Sequence, residues 1–177
     1  MKKFLIVVDM QKDFVDGALG TKEAEAIVAN VVEKIKGFEG DIFVTKDTHG
    51  ADYMETSEGK HLPVPHCIAG TDGWELDKQV EEALGARDYV AEVEKITFGS
   101  VDLPGMIGAA AAGEEFSVEL IGLCTDICVV SNALLLKAHF PETEIKVDAA
   151  CCAGVTPESH AAALMTMKMC QIEVMNA

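Results

Sequence analysis

The strongest constraint on this chain is a regular switch in the spacing of its apolar residues, from short β-branched runs to helical stripes and back. Phe4-Leu-Ile-Val-Val8 is apolar at every position, as expected of a parallel strand covered on both faces. Ile27, Val28, Val31, Val32 and Ile35 then fall on one helical stripe that closes at Gly37. Asp41–Thr45 and Tyr89–Val93 read as the second and third strands, with a helix from about Gly73 to Leu84 between them. Phe116–Gly122 reads as a fourth strand feeding a helix over Asp126–Leu136, and Glu144–Val147 as a fifth. Thr156-Pro157 supplies a cap and a first-turn proline for a last helix, and Gln171–Met175 reads as the last strand. This alternation predicts an α/β fold with a mostly parallel sheet and helices on both faces. With 177 residues and no linker-like tract or internal repeat, a single domain over 1–177 is expected.

Charge then narrows the partners. Fourteen basic against 30 acidic residues give a formal charge of -16, a field that repels nucleic acid and anionic membranes. The apolar run after Lys2-Lys3 stops at Asp9, so it is read as a strand rather than a leader, and no stretch approaches the roughly 20 apolar residues of a spanning helix. The six cysteines lack a paired zinc framework and, in a protein read as cytoplasmic, are expected to be reduced.

Parallel sheets bind ligands beyond the carboxyl ends of their strands. Asp9, Asp47 with His49, Lys95, and Cys124-Thr-Asp-Ile-Cys128 all fall there. Cys128 lies at the start of a helix, where backbone amides and the helix dipole favour a thiolate, and the turn from Gly122 to Asp126 exposes amides suited to an oxyanion. Cys124 reads as a turn residue. Asp9 ends an apolar strand, so its carboxylate is expected to be desolvated, with Lys95 as its compensating cation. A thiol, a carboxylate and an amine together suit covalent acyl chemistry. Taken singly, these residues read more readily as a core cysteine, a loop cap and a surface charge; their joint location favours function. Asp47 and His49 alternate in an extended segment and could face one ion, with His61 and His66 nearby; such ligands suit zinc, iron or manganese. His139 and His160, on helix faces, are expected to be uninvolved, and Met165, Met167 and Met169 to fill the core.

The ordered set Asp9-Met-Gln-x-Asp13-Phe14, Asp47-x-His49, Pro65-His66-Cys67-x-x-Gly70-Thr71, Lys95-x-x-Phe98-Gly99 and Thr125-Asp126-x-Cys128-Val129 resembles the isochorismatase-like cysteine hydrolases, and its metal-type residues resemble the nicotinamidase branch. The resemblance spans Val7 to about Ala153. It implies a three-layer α/β/α Rossmann-like fold with a six-stranded sheet, and a catalytic triad at Asp9, Lys95 and Cys128. It also implies a cis peptide at Leu123-Cys124, which turns the amides of Cys124 and Cys128 toward the oxyanion, and a substrate-packing aromatic at Phe14. One divalent metal ion is implied at Asp47, His49 and His66, with Glu58 as the fourth ligand or His61 in its place. No organic cofactor is implied. The activity implied is hydrolysis of nicotinamide to nicotinate and ammonia through a thioester, by an enzyme that forms homo-oligomers. The stretch His61–His66 departs from that branch in lacking an aromatic before the last histidine. A metal-free hydrolase of another small amide, a carbamoyl compound or a vinyl ether is therefore the alternative, and a non-catalytic metal or thiol sensor the one from a different class. A dinucleotide-binding role is disfavoured, since no Gly-x-Gly-x-x-Gly follows the first strand.

Overall fold

A computed structural model describes residues 1–177. Six strands form one sheet: β1 (Lys2–Val8), β2 (Asp41–Asp47), β3 (Val90–Lys95), β4 (Phe116–Leu123), β5 (Glu144–Ala153) and β6 (Glu173–Met175). Their order is β3-β2-β1-β4-β5-β6, and every pairing is parallel. The helices in chain order are α1 (Lys12–Val15), α2 (Lys22–Gly37), α3 (Ser57–His61), α4 (Lys78–Gly85), α5 (Leu103–Ala111), α6 (Val130–His139) and α7 (Pro157–Met169).

Alternation along β1 divides the core. Leu5 and Val7 pack with the α2 stripe and with Val80 and Leu84 of α4, whereas Phe4, Ile6 and Val8 pack with Leu103 and Ile107 of α5, Leu136 of α6 and Met167 of α7. The sheet is thus sandwiched between two helical layers, and the continuous apolar run of β1 reflects burial on both sides. The order in which strands are added reverses at the β1–β4 pair, because β2 and β3 extend the sheet to one side and β5 and β6 to the other. Such a switch point opens a crevice at the carboxyl ends of the two strands. Gly122 makes the approach possible there: its φ of +114° and its backbone contact with Val8 leave no room for a side chain.

Several expectations need correction. The helix expected from Gly73 begins at Lys78, capped by the Asp77 carboxylate on the amides of Gln79 and Val80; the preceding residues form a 3-10 turn (Asp72–Trp74), and Leu76 bridges to Gln11. The fifth strand continues past Val147 to Ala153, through a stretch of small residues with weak strand propensity. Helix α5 escaped the sequence reading because its glycines and alanines dilute the stripe of Leu103, Ile107 and Ala111. Of the three alternating methionines only Met167 is in the core; Met165 and Met169 are exposed, since a spacing of two puts neighbours on different faces of a helix.

Candidate active site

The first residue beyond β1, Asp9, has a left-handed backbone (φ 47°), an unfavourable conformation for a side chain of this kind and one that tight packing must hold. Its amide donates to the Thr45 carbonyl at 3.1 Å, and the Thr45 hydroxyl donates to Asp9 Oδ1 at 2.7 Å. Asp9 Oδ2 is buried and forms an ion pair with the Lys95 ammonium 2.6 Å away. Lys95, the last residue of β3, also donates to Asp47 Oδ1 at 3.2 Å, to the Thr97 carbonyl at 3.1 Å and to Cys128 Sγ at 3.5 Å. The buried amine therefore binds two carboxylates and a thiol at once. Asp9, Lys95 and Cys128, which arise from three separate strand ends, converge.

Burial raises the Asp9 carboxyl above its usual range; the Lys95 charge opposes this and the Asp47 charge adds to it. Burial likewise pushes the Cys128 thiol well up, reinforced by the Asp9 charge and opposed by Lys95. Lys95 is held charged, because the desolvation that works against it is outweighed by Asp9, Cys128 and Asp47. The chemical consequence is a protonated thiol at neutral pH, held beside a buried carboxyl group and an ammonium.

The nucleophile-type cysteine lies on a π-helical turn, Thr125–Val129, that leads into α6. Helix geometry was expected here; the wider turn arises because the Cys124 carbonyl accepts from the amide of Val129 as well as that of Ile127, at 3.0 and 3.1 Å. The Leu123–Cys124 peptide bond is cis. Cys124 borders the same cavity as Cys128, and burial pushes its thiol up to about 12.

A second cluster adjoins the first. Asp47, at the end of β2, His49, Glu58 of α3 and His66 each offer one ligand atom, all within 4.8 Å of one another. His49 Nε2 lies 3.6 Å from Glu58 Oε1, and His66 Nε2 lies 3.5 Å from both Glu58 Oε1 and Asp47 Oδ2. A tetrahedral ion with bonds of about 2.0–2.1 Å places its donors roughly 3.3–3.4 Å apart, so three of the contacts match the edges of a metal polyhedron. The fourth, His49 Nε2 to Asp47 Oδ2 at 2.8 Å, is a hydrogen bond. His66 Nδ1 is paired with the Val64 carbonyl at 2.8 Å, which leaves its Nε2 facing the cluster. The donor set therefore fits a divalent ion. His61 does not join it: it is exposed, with Nδ1 on the Ser57 carbonyl. Burial works against ionisation of Asp47, but the hydrogen bond to His49 and the nearby His66 and Lys95 outweigh it and hold the carboxyl below the usual range.

Between the two clusters opens a cavity of about 230 Å³, bordered by Phe14, Phe98, Leu62, Leu123, Ile127 and Val155, with Cys128, Asp47, Glu58 and His66 also on its wall. Phe14 packs at 5.4 Å from the His66 ring. Three further residues support the site without having been singled out in sequence. Gln11 fixes Asp47 from both sides, its Nε2 donating to the Asp47 carbonyl at 2.8 Å and its Oε1 accepting from the Asp47 amide at 2.7 Å. Tyr53 stacks edge-on against His49 and His66 at 4.9 and 5.0 Å, and its hydroxyl donates to the Leu62 carbonyl. Thr45 supports Asp9. Gln11 sits inside a motif and could have been suspected; Tyr53 and Thr45 carry no local signal.

The isochorismatase domain pattern matches residues 3–177. The chain belongs to the isochorismatase family. An isochorismatase family protein, PncA, from Bacillus subtilis (strain 168) is 32% identical over 178 residues, 93% of each chain. The crystal structure of nicotinamidase/pyrazinamidase PncA from Bacillus subtilis is 28% identical with a TM-score of 0.83, covering 99% of this chain and 100% of that one. The pyrazinamidase of Pyrococcus horikoshii, crystallised in complex with zinc, is 26% identical with a TM-score of 0.82 and full coverage of both chains. This isochorismatase-family hydrolase therefore shares its whole fold with nicotinamidase-type enzymes.

Proposed function

We propose that this protein is a cysteine-dependent amidohydrolase that converts nicotinamide to nicotinate and ammonia. The observation that carries the reading is the convergence of Asp9 and Lys95 with Cys128, whose thiol lies on the wall of a small, largely apolar cavity that Asp47, Glu58 and His66 of the Asp/His/Glu/His cluster also border. A flat, neutral ring suits that cavity, with Phe14 and Phe98 beside it. It has no free cation for an anionic substrate, because Lys95 is engaged by two carboxylates.

Asp9 takes the Cys128 proton as Sγ bonds to the amide carbon. The tetrahedral oxyanion is met by the amides of Cys124 and Cys128. Asp9 then returns the proton to the departing nitrogen as the C–N bond breaks, releasing ammonia and leaving a thioester. Water, deprotonated by Asp9, opens that thioester to nicotinate and restores the thiol. Lys95 keeps Asp9 anionic at the start of each half-reaction.

Asp47, His49, Glu58 and His66 would hold one divalent ion, with zinc, iron and manganese all suited to the set. When bound, the ion supplies Lewis acidity that orients the ring nitrogen and acidifies water. The reading places the enzyme in the cytoplasm as a homo-oligomer. No helix is long and apolar enough to cross a membrane.

A carbamoyl or other small amide is the second reading, favoured by the absence of an aromatic between His61 and His66. Ammonia release from a panel of nicotinamide, pyrazinamide, benzamide and carbamoyl amino acids separates the two. Nicotinamide and pyrazinamide should give the highest kcat/KM. Turnover confined to carbamoyl compounds would overturn the assignment.

A further inference from the structure

We infer that His160 is a positioning residue for Cys128, acting through the turn that carries it. The imidazole of His160, in the first half of α7, lies with Nδ1 2.8 Å from the hydroxyl of Thr125. Thr125 is fully buried and opens the π-helical turn, three residues before Cys128. In the Nε2–H tautomer the hydroxyl donates to Nδ1. Burial lowers the affinity of His160 for a proton, with the Asp126 charge opposing, so the neutral ring needed for that bond prevails at neutral pH.

A second tie runs parallel to the first. The Val155 amide donates to both carboxylate oxygens of Asp126 at 3.2 Å. Gly154 packs against the backbone and Cβ of His160, where any side chain would approach within 2.9 Å, and both Gly154 and Val155 border the substrate cavity. Thus α7 and the segment before it clamp two consecutive residues of the turn, Thr125 and Asp126. The turn places the Cys128 thiol beside Lys95 and the amides that meet the oxyanion, so loosening the clamp changes the aim of the thiol.

The inference rests on Cys128 being the nucleophile of the proposed reaction, so two readouts are needed. One is steady-state hydrolysis; the other is the rate of Cys128 alkylation by iodoacetamide, read by peptide mapping, which requires no knowledge of the substrate. His160→Phe keeps a ring but removes Nδ1; His160→Asn puts an amide close to the Nδ1 position. For His160→Phe, kcat and the alkylation rate should each fall roughly tenfold to a hundredfold. His160→Asn should restore most of both. Circular dichroism and Tm of the two variants establish that they fold. Wild-type kcat and alkylation in folded His160→Phe would overturn the inference, as would equal losses in both variants. If His160→Phe fails to fold, Thr125→Val is read in the same two assays against Thr125→Ser as rescue, with the same outcomes deciding. A wild-type protein that neither hydrolyses the amide panel nor alkylates at Cys128 would instead refute the functional reading beneath it.

Discussion

Replacing Lys95 with methionine removes one charge and keeps the length of the side chain. In the native site its ammonium lies 2.6 Å from Asp9 Oδ2 and 3.2 Å from Asp47 Oδ1. At an effective dielectric of about 20, Coulomb's law gives roughly 6 kcal/mol for the first contact and roughly 5 kcal/mol for the second. Releasing Lys95 from its own desolvation offsets part of this, so breaking the cluster should cost about 3–5 kcal/mol of stability. The deficit is relieved when Asp9 takes up a proton: burial and the Asp47 charge already raise its affinity, and Lys95 is the main opposing influence. A protonated Asp9 cannot accept from Cys128, and the thiol loses the cation 3.5 Å from its sulfur. Hydrolysis should therefore fall by about 10²–10⁴-fold, the range of a lost general base. The assay is Cys128 alkylation against pH in wild type and Lys95→Met, with circular dichroism as the control for folding. The apparent titration of the thiol should move to higher pH in the variant. Superimposable profiles in two folded proteins would refute the reasoning and remove Lys95 from the proton circuit.

Further outcomes follow from the same geometry. Cys128→Ala and Cys128→Ser should fold and lack turnover, whereas Cys124→Ala should keep most activity, because its proposed contribution is a backbone amide; the reverse pattern in kcat would reassign the nucleophile. His49→Ala and Glu58→Gln should each lower bound metal per chain by elemental analysis and raise KM strongly, with Cys128 still alkylated; activity indifferent to chelator and to His49→Ala would favour a metal-free hydrolase. Away from the site, Lys34 lies 2.6 Å from Asp148 and 2.7 Å from Glu119. Burial opposes ionisation of Asp148, but the hydrogen bonds from Lys34 and Asn176 prevail and hold its carboxyl below the usual range. Its stabilising effect is therefore complete above the unfolded carboxylate value near pH 4 and fades as pH drops toward the lower folded value. Asp148→Asn should lose about 1–3 kcal/mol at neutral pH in denaturant titrations, and the gap to wild type should narrow below about pH 4. A gap that widens in acid would contradict the assignment.

Much of this architecture was legible because the sheet is parallel and central. A strand buried on both faces is largely apolar, so β1 and the apolar stretches Ile42–Val44 of β2 and Leu120–Leu123 of β4 announce themselves, and the polar residues that follow lead to the rim where ligands bind. That is why Asp9 and the Cys124–Cys128 turn could be placed from sequence. Less legible were elements stabilised by contacts distant in sequence. The later part of β5 is small-residue chain that pairs because β4 lies beside it, and α5 is helical because Leu103 and Ile107 have a sheet face to cover. The metal-type cluster was legible as ligand types, yet the choice of Glu58 over His61 depends on how α3 presents its faces. The sequence marks His160 only as a helix-face residue, because nothing local shows that α7 returns against the turn of Cys128. Tyr53, wedged against two histidines, gives no sequence signal at all.

The central claim is that Cys128 forms an acyl intermediate with nicotinamide. Rapid acid quench of the metal-loaded protein during turnover, followed by mass spectrometry of its peptides, tests it directly. The account predicts a nicotinoyl group on the peptide containing Cys128, absent in Cys128→Ala and chased by water to nicotinate. Turnover of nicotinamide with no adduct on Cys128, or an adduct on Cys124 in its place, would contradict it.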